Sequence, residues 1–137
     1  QAALGISQLN RIDSFVSSRR NIAKFYDESL SSTGYILPFQ NENTKSSYHL
    51  YPIRVNIEKC KKKQKDIYDY LEEANIFANL HYIPIYRQPF FEKLGFKEGY
   101  CPESEAFHRE TISIPVYPDL KREDQERVIS VLTEALI

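Results

Sequence analysis

The sequence has no tryptophan, no methionine, four glycines and two cysteines in 137 residues. None of the glycines falls in G-x-G spacing, so neither a dinucleotide fingerprint nor a phosphate loop is present. The cysteines, Cys60 and Cys101, lie far apart and form no C-x-x-C pair. That spacing excludes a redox dithiol and a disulfide framework. Both read as free thiols of a reducing compartment, and a cytoplasmic location is expected. HExxH, EF-hand and G-x-S-x-G patterns are missing, and so is any N-x-Ser/Thr sequon. Apolar runs extend only a few residues, too short to span a bilayer. Residues 1–5 have neither the basic start nor the apolar stretch of a signal peptide. Charge of one sign is also lacking. With 18 basic and 19 acidic residues the net charge is -1, which leaves no footprint for nucleic acid or an anionic membrane.

What is present is an alternation of helical and extended patterns. Residues 2 to about 31 carry Leu4, Leu9, Ile12, Phe15, Val16, Ile22, Phe25, Tyr26 and Leu30 at helical spacing, with Gly34 as a stop signal. One helix of that length would run about 45 Å, more than a small domain covers. It is expected to bridge two domains or two subunits. A short extended piece follows at Tyr35–Pro38. From Tyr51 to Ile57 alternate residues are apolar, which predicts a strand with Pro52 at an edge or a non-bonded position. Lys59–Glu73 reads as a second helix. Its leading lysines suit the start of a helix dipole poorly, so they are expected to precede the helix proper. Ile76–Ile85 is expected to be the second main strand. Pro102–Arg109 has Pro and acids in its first turn, as a short helix should. Thr111–Val116 is a third strand, and the last helix starts near Asp119. The predicted architecture is a single α/β domain, more narrowly a two-layer α+β arrangement with about three strands, flanking helices and a long N-terminal helix.

The most unusual stretch is Asn79–Phe91, which holds one histidine, two tyrosines, one arginine, two prolines and two phenylalanines. Loops usually rely on Gly, Ser, Asn and Asp. An aromatic loop of this kind either covers part of a core or lines a pocket. His81, near the end of the expected strand, is a binding candidate or a hydrogen-bonded structural histidine. Arg87 is placed to grip a carboxylate or phosphate, or to pair with Glu92 on the surface. His49, His81 and His108 come from different elements, and their spacing gives no support to a metal site. A Cys–His nucleophile pair has equally little support.

Several stretches together resemble one family. They are residues 1–9 with Arg19–Tyr26; Ser46–Val55; His81–Phe91, which opens His-Tyr-x-Pro; and Ile112–Leu120 with Asp124–Ile129. In this order they resemble the C-terminal part of DegT/StrS-type sugar aminotransferases, most closely those that aminate a UDP-linked 4-keto-6-deoxy sugar, as in the pseudaminic-acid pathway. The resemblance implies the small C-terminal domain of an aspartate-aminotransferase-type enzyme dependent on pyridoxal phosphate (PLP). Residues 1–31 would be the inter-domain helix and residues 32–137 the small domain, the chain being a fragment of a larger, homodimeric enzyme. That enzyme would move an amino group from glutamate to a nucleotide-linked keto sugar, with PLP as electron sink. The resemblance also implies that the Schiff-base lysine and the other PLP-binding groups lie upstream of Gln1. No catalytic, cofactor-binding or metal residue is therefore assigned here, and the fragment alone is expected to be inactive. The residues implied on the substrate side are His81, Tyr82 and Tyr86, with His49 as a further candidate and Pro84, Pro89 and Phe90 shaping the loop. The competing expectation is a stand-alone binding or assembly module that uses the aromatic loop 81–91.

Overall fold

The computed structural model describes residues 1–137. In chain order the elements are α1 (Ala2–Leu9), α2 (Ile12–Leu30), β1 (Tyr35–Ile36), β2 (Tyr51–Val55), α3 (Ile57–Cys60) and α4 (Gln64–Glu73). A 3-10 turn (Ile85–Arg87), α5 (Pro89–Lys93), α6 (Pro102–Glu110), β3 (Thr111–Ile114) and α7 (Arg122–Glu134) follow. The strands form one antiparallel sheet in the order β1-β2-β3. This is the small α+β domain expected. No helix is long and apolar enough to cross a membrane.

The alternation of β2 decides which face is buried. Tyr51, Ile53 and Val55 are fully buried and share their face with Ile112 and Ile114 of β3, which stand opposite in the register. Onto this face pack Ile22, Ala23, Tyr26 and Leu30 of α2, Ile67 and Leu71 of α4, and Val128 and Leu132 of α7. Each buried Leu or Ile contributes about 1.5–3 kcal/mol relative to its exposed state. Three tyrosines enter this core, and each hydroxyl has a partner. Tyr26 donates to the Pro115 carbonyl at 3.0 Å, Tyr35 to the Leu132 carbonyl at 2.8 Å and Tyr51 to the Asp27 carboxylate at 2.5 Å. Burial pushes all three phenols above their ordinary pKa. On the opposite face Arg54 reaches Glu110 at 2.6 Å and lies over the Phe107 ring, which fastens α6 to β2.

The long helix is broken. Its hydrogen bonding tightens at Asn10–Arg11, where the Arg11 N–H bonds Gln8 O at 3.0 Å, and α2 starts afresh at Ile12. α1 buries none of its residues, so no packing holds it in line with α2. The helix expected over 59–73 is also divided. Asn56 caps α3 by accepting from the Lys59 N–H, Lys61 turns left-handed at φ 53°, and α4 begins at Gln64 with Asp66 accepting from the Lys63 N–H. Lys61, Lys62 and Lys63 therefore precede α4, as the dipole argument required. At Gly34 a side chain would strike Cys60, whose thiol donates to the Gly34 carbonyl at 3.2 Å.

The expectation of a strand over Ile76–Ile85 is corrected. Asn75 turns left-handed at φ 57°, and Ile76 and Ala78 bury alternately, but only Asn79 pairs with the sheet, opposite Ser113. The third strand is instead the short β1. Pro52 lies in the middle strand and takes the second expected place, a non-bonded position: its register partner Ser113 gives both backbone hydrogen bonds to Asn79. Continuing the β1–β2 register past Ile36↔Arg54 would bring Pro38 opposite Pro52. Neither residue has an N–H to donate, so the ladder stops after two residues.

Candidate functional site

The site begins with the single bridge at the outer edge of β3. Asn79 and Ser113 exchange both backbone hydrogen bonds, at 3.0 and 2.8 Å. Two residues further on, His81 points back to the same place and brings Nδ1 to 3.0 Å from the Ser113 hydroxyl. Ser113 lies on the β2–β3 face that carries Pro52 and Arg54, and only 3% of it is exposed. The Tyr82 ring meets the His81 ring edge-on at 4.5 Å, across a cis peptide bond, and is itself 73% exposed.

Beside this bridge opens a cleft of about 440 Å³. Asn79, His81 and Ser113 line it from one side of the chain, Asp124 and Arg127 from α7, and His49 from the approach to β2. Ile76, Ile114 and Val128 supply apolar wall. Arg127 is anchored by donating to the Ala74 carbonyl at 2.6 Å. A few convergent polar groups on an apolar wall are the usual make-up of a small-molecule cleft. Behind it, Arg19 ties the approach to β2 and the chain after β3 together by donating to the carbonyls of Tyr48, His49 and Val116 at 3.2, 3.1 and 2.9 Å.

Tyr86 does not share this cleft. Its hydroxyl donates to Glu105 at 2.5 Å and accepts from the Cys101 N–H at 3.3 Å. The Tyr86 hydroxyl and the Gly99 N–H together hold the Glu105 carboxyl below the usual carboxylate range, and burial and Glu105 push the Tyr86 phenol up. Arg87 pairs with Glu92 at 3.4 Å and Glu98 at 3.3 Å, which is the surface pairing considered from sequence. Arg87, Glu98 and Glu105 border a second cavity of about 320 Å³ that also takes in His108 and Arg109. The aromatic stretch thus belongs mostly to neither the core nor the main cleft. Phe90, Phe91, Phe96, Tyr100 and Tyr86 form a chain of edge and tilted contacts with one another, and Pro84 alone of the stretch is buried.

No three His, Cys, Asp or Glu side chains are placed to hold a metal ion. A Schiff base to PLP needs a lysine amine in the cleft, and no lysine lines either cavity. Lys24 and Lys65 pair with Glu28 and Asp69 on helix surfaces. Ser113 and the α7 pair Asp124 and Arg127 were missed from sequence. No local signal marked Ser113: Thr111 and Ser113 alternate with Ile112 and Ile114 as the outward residues of a half-buried strand would.

Residues 1–133 match the DegT/DnrJ/EryC1/StrS aminotransferase family. The spore coat polysaccharide biosynthesis protein SpsC of Bacillus subtilis is 31% identical over 137 residues, covering 98% of this chain and 35% of that protein. A UDP-4-amino-4,6-dideoxy-N-acetyl-beta-L-altrosamine transaminase of Campylobacter jejuni is 32% identical over 136 residues, with the same two coverages. Among solved structures, the putative sugar aminotransferase Spr1654 of Streptococcus pneumoniae superposes with a TM-score of 0.90 at 27% identity, over 98% of this chain and 34% of that one. Spr1654 has also been solved in a PLP form. The chain spans about 35% of the length of the curated relatives it matches.

Proposed function

Because the chain belongs to the DegT/DnrJ/EryC1/StrS aminotransferase family, we propose that it is the small C-terminal domain of a PLP-dependent nucleotide-sugar aminotransferase and forms one wall of its substrate cleft. The observation that carries this reading is the match along the whole chain to only about a third of its relatives. In the full enzyme a large domain would supply the lysine, and PLP bound there would act as electron sink. The substrate would be a UDP-linked 4-keto-6-deoxy sugar, the amino donor glutamate, the assembly a homodimer and the location the cytoplasm.

In this reading residues 1–31 join the domains and residues 32–137 close the cleft. The apolar side chains Leu4, Ile6 and Leu9 of α1, each more than 60% exposed, support a covering domain at that end. His81 and Tyr82 face the sugar nucleotide from the rim of the cleft, with His49 nearby. Tyr86 holds the loop through Glu105 and so sets where Tyr82 stands.

The test is expression of the complete reading frame that contains this sequence. With PLP, glutamate and a UDP-4-keto-6-deoxy sugar, mass spectrometry should show the amino sugar and 2-oxoglutarate. The 137-residue chain mixed with PLP and reduced with borohydride should carry no specific adduct. A stoichiometric adduct at one of its lysines would overturn the assignment. The exposure of Tyr82, Ile85 and Phe90 also suits a stand-alone partner-binding module. The coding sequence upstream of Gln1 separates the two readings.

A further inference from the structure

We infer that Ser113 is a positioning residue that fixes His81 as the Nε2–H tautomer, so that His81 presents a hydrogen-bond donor to an oxygen acceptor of the ligand in the 440 Å³ cleft.

Ser113 is almost fully buried, and its hydroxyl has one partner, His81 Nδ1 at 3.0 Å. If Nδ1 carried the ring proton and donated it to the hydroxyl, the hydroxyl's own proton would have no protein acceptor, because His81 is the hydroxyl's single partner. Buried donors are rarely left in that state. The hydroxyl therefore donates, Nδ1 accepts, and the single proton of the neutral ring is on Nε2. The Ser113 backbone cannot shift to relax this, because its N–H and carbonyl are both held by Asn79. Asn79 thus anchors the strand edge, Ser113 sets the proton, and His81 delivers it outward.

The consequence is a chemical restriction on the ligand. A neutral Nε2–H donates and does not abstract. It suits a hydroxyl, carbonyl or phosphate oxygen, and it makes His81 a recognition group instead of a general base. The claim about the ligand rests on the proposed function; the claim about the tautomer does not.

The tautomer is read directly. In the 137-residue chain labelled with 15N-histidine, long-range proton–nitrogen correlations at a pH where the ring is neutral report which nitrogen is protonated. His81→Gln removes one of three resonance sets and so assigns His81. The expected result is a bare Nδ1 and a protonated Nε2 in the unaltered chain and in Ser113→Thr, and mixed tautomers in Ser113→Ala. A protonated Nδ1 in the unaltered chain overturns the inference whatever the variants do, and so does an unchanged pattern in a folded Ser113→Ala. In the complete enzyme, Ser113→Ala should raise KM for the keto sugar about tenfold with kcat within twofold, and Ser113→Thr should restore it. A correct tautomer in an enzyme that does not transaminate would refute the proposed function and leave the Ser113–His81 assignment standing.

Discussion

Tyr86 and Glu105 are joined by a 2.5 Å hydrogen bond that closes the aromatic loop onto α6. Glu105 also accepts from the Gly99 N–H at 2.7 Å, so one carboxylate holds both ends of an excursion of about fifteen residues. Its pKa is lowered by these donors. A carboxyl whose folded pKa is depressed contributes stability above its unfolded pKa, near 4.3, and loses it as pH falls through the lower folded value. Proteolytic nicking between residues 86 and 101 should therefore be slow at neutral pH and accelerate in acid. Tyr86→Phe should nick faster at neutral pH and show a weaker acid dependence. Equal rates for the two proteins at pH 7 would contradict this.

A second expectation concerns Arg19. One of its guanidinium nitrogens donates to three carbonyls from two parts of the chain, Tyr48 and His49 before β2 and Val116 after β3. Arg19→Ala leaves these acceptors without their donor and should cost about 2 kcal/mol in chemical denaturation. Arg11→Ala, on the exposed turn before α2, is the control and should be near neutral.

The three core tyrosines predict the alkaline limit. Tyr26, Tyr35 and Tyr51 all have raised pKa values, so the folded state disfavours their ionisation. A raised folded pKa contributes stability that is complete below the unfolded value and is lost as pH rises toward the folded one. Unfolding free energy should be insensitive to these groups below about pH 10 and fall steeply above it. Tyr35→Phe should make the alkaline slope shallower by about one proton.

Thr111 predicts a gain. Its hydroxyl is buried and has no hydrogen-bond partner. Thr111→Val removes the orphan group and keeps the branched shape that suits a strand, so stability should rise by up to about 1 kcal/mol. Thermal unfolding measures it, and a loss above 1 kcal/mol would mean the hydroxyl has a partner in solution.

α1 should be the first element to open. It buries no side chain, and its backbone bonds are exposed. Amides of residues 5–10 should exchange orders of magnitude faster than those of residues 22–30 in the buried part of α2. The exposed Leu4 and Leu9 should make the 137-residue chain self-associate, and Leu4→Ser with Leu9→Ser should reduce this without lowering the melting temperature.

Where one face of an element meets the core, the sequence was sufficient to read it. β2, α7 and the buried half of α2 announced themselves by spacing alone, and Pro102 marked the start of α6. The failures lie where tertiary packing decides. Residues 2–31 carry a continuous helical pattern whose length pointed to a partner outside the small domain, but the spacing did not show the break between α1 and α2 at Asn10–Arg11. Ile76 and Ala78 alternate as a strand would, yet only Asn79 finds a bonding neighbour. The candidate site was half visible. The resemblance pointed to His81, Tyr82 and Tyr86, and the fold sets His81 in the cleft, Tyr82 exposed beside it and Tyr86 in a separate cluster. Ser113 comes from 32 residues further along, a pairing that no local spacing encodes.

The middle strand β2 has a partner on each side, but the one that matters most arrives late. Arg54 and Glu110 are 56 positions apart, and the Tyr35 and Arg19 anchors each span 97. A chain leaving the ribosome at about 5–20 residues per second holds Tyr51, Ile53 and Val55 for several seconds before β3 exists to cover them. During that interval β2 is an apolar strand with one edge open, the edge that β3 will take, ready to pair with another nascent chain. Non-local pairing of this kind folds slowly even when the final state is stable. The domain's point of vulnerability is therefore temporal: chaperone occupancy should peak once β2 has emerged and fall only after α7 is complete.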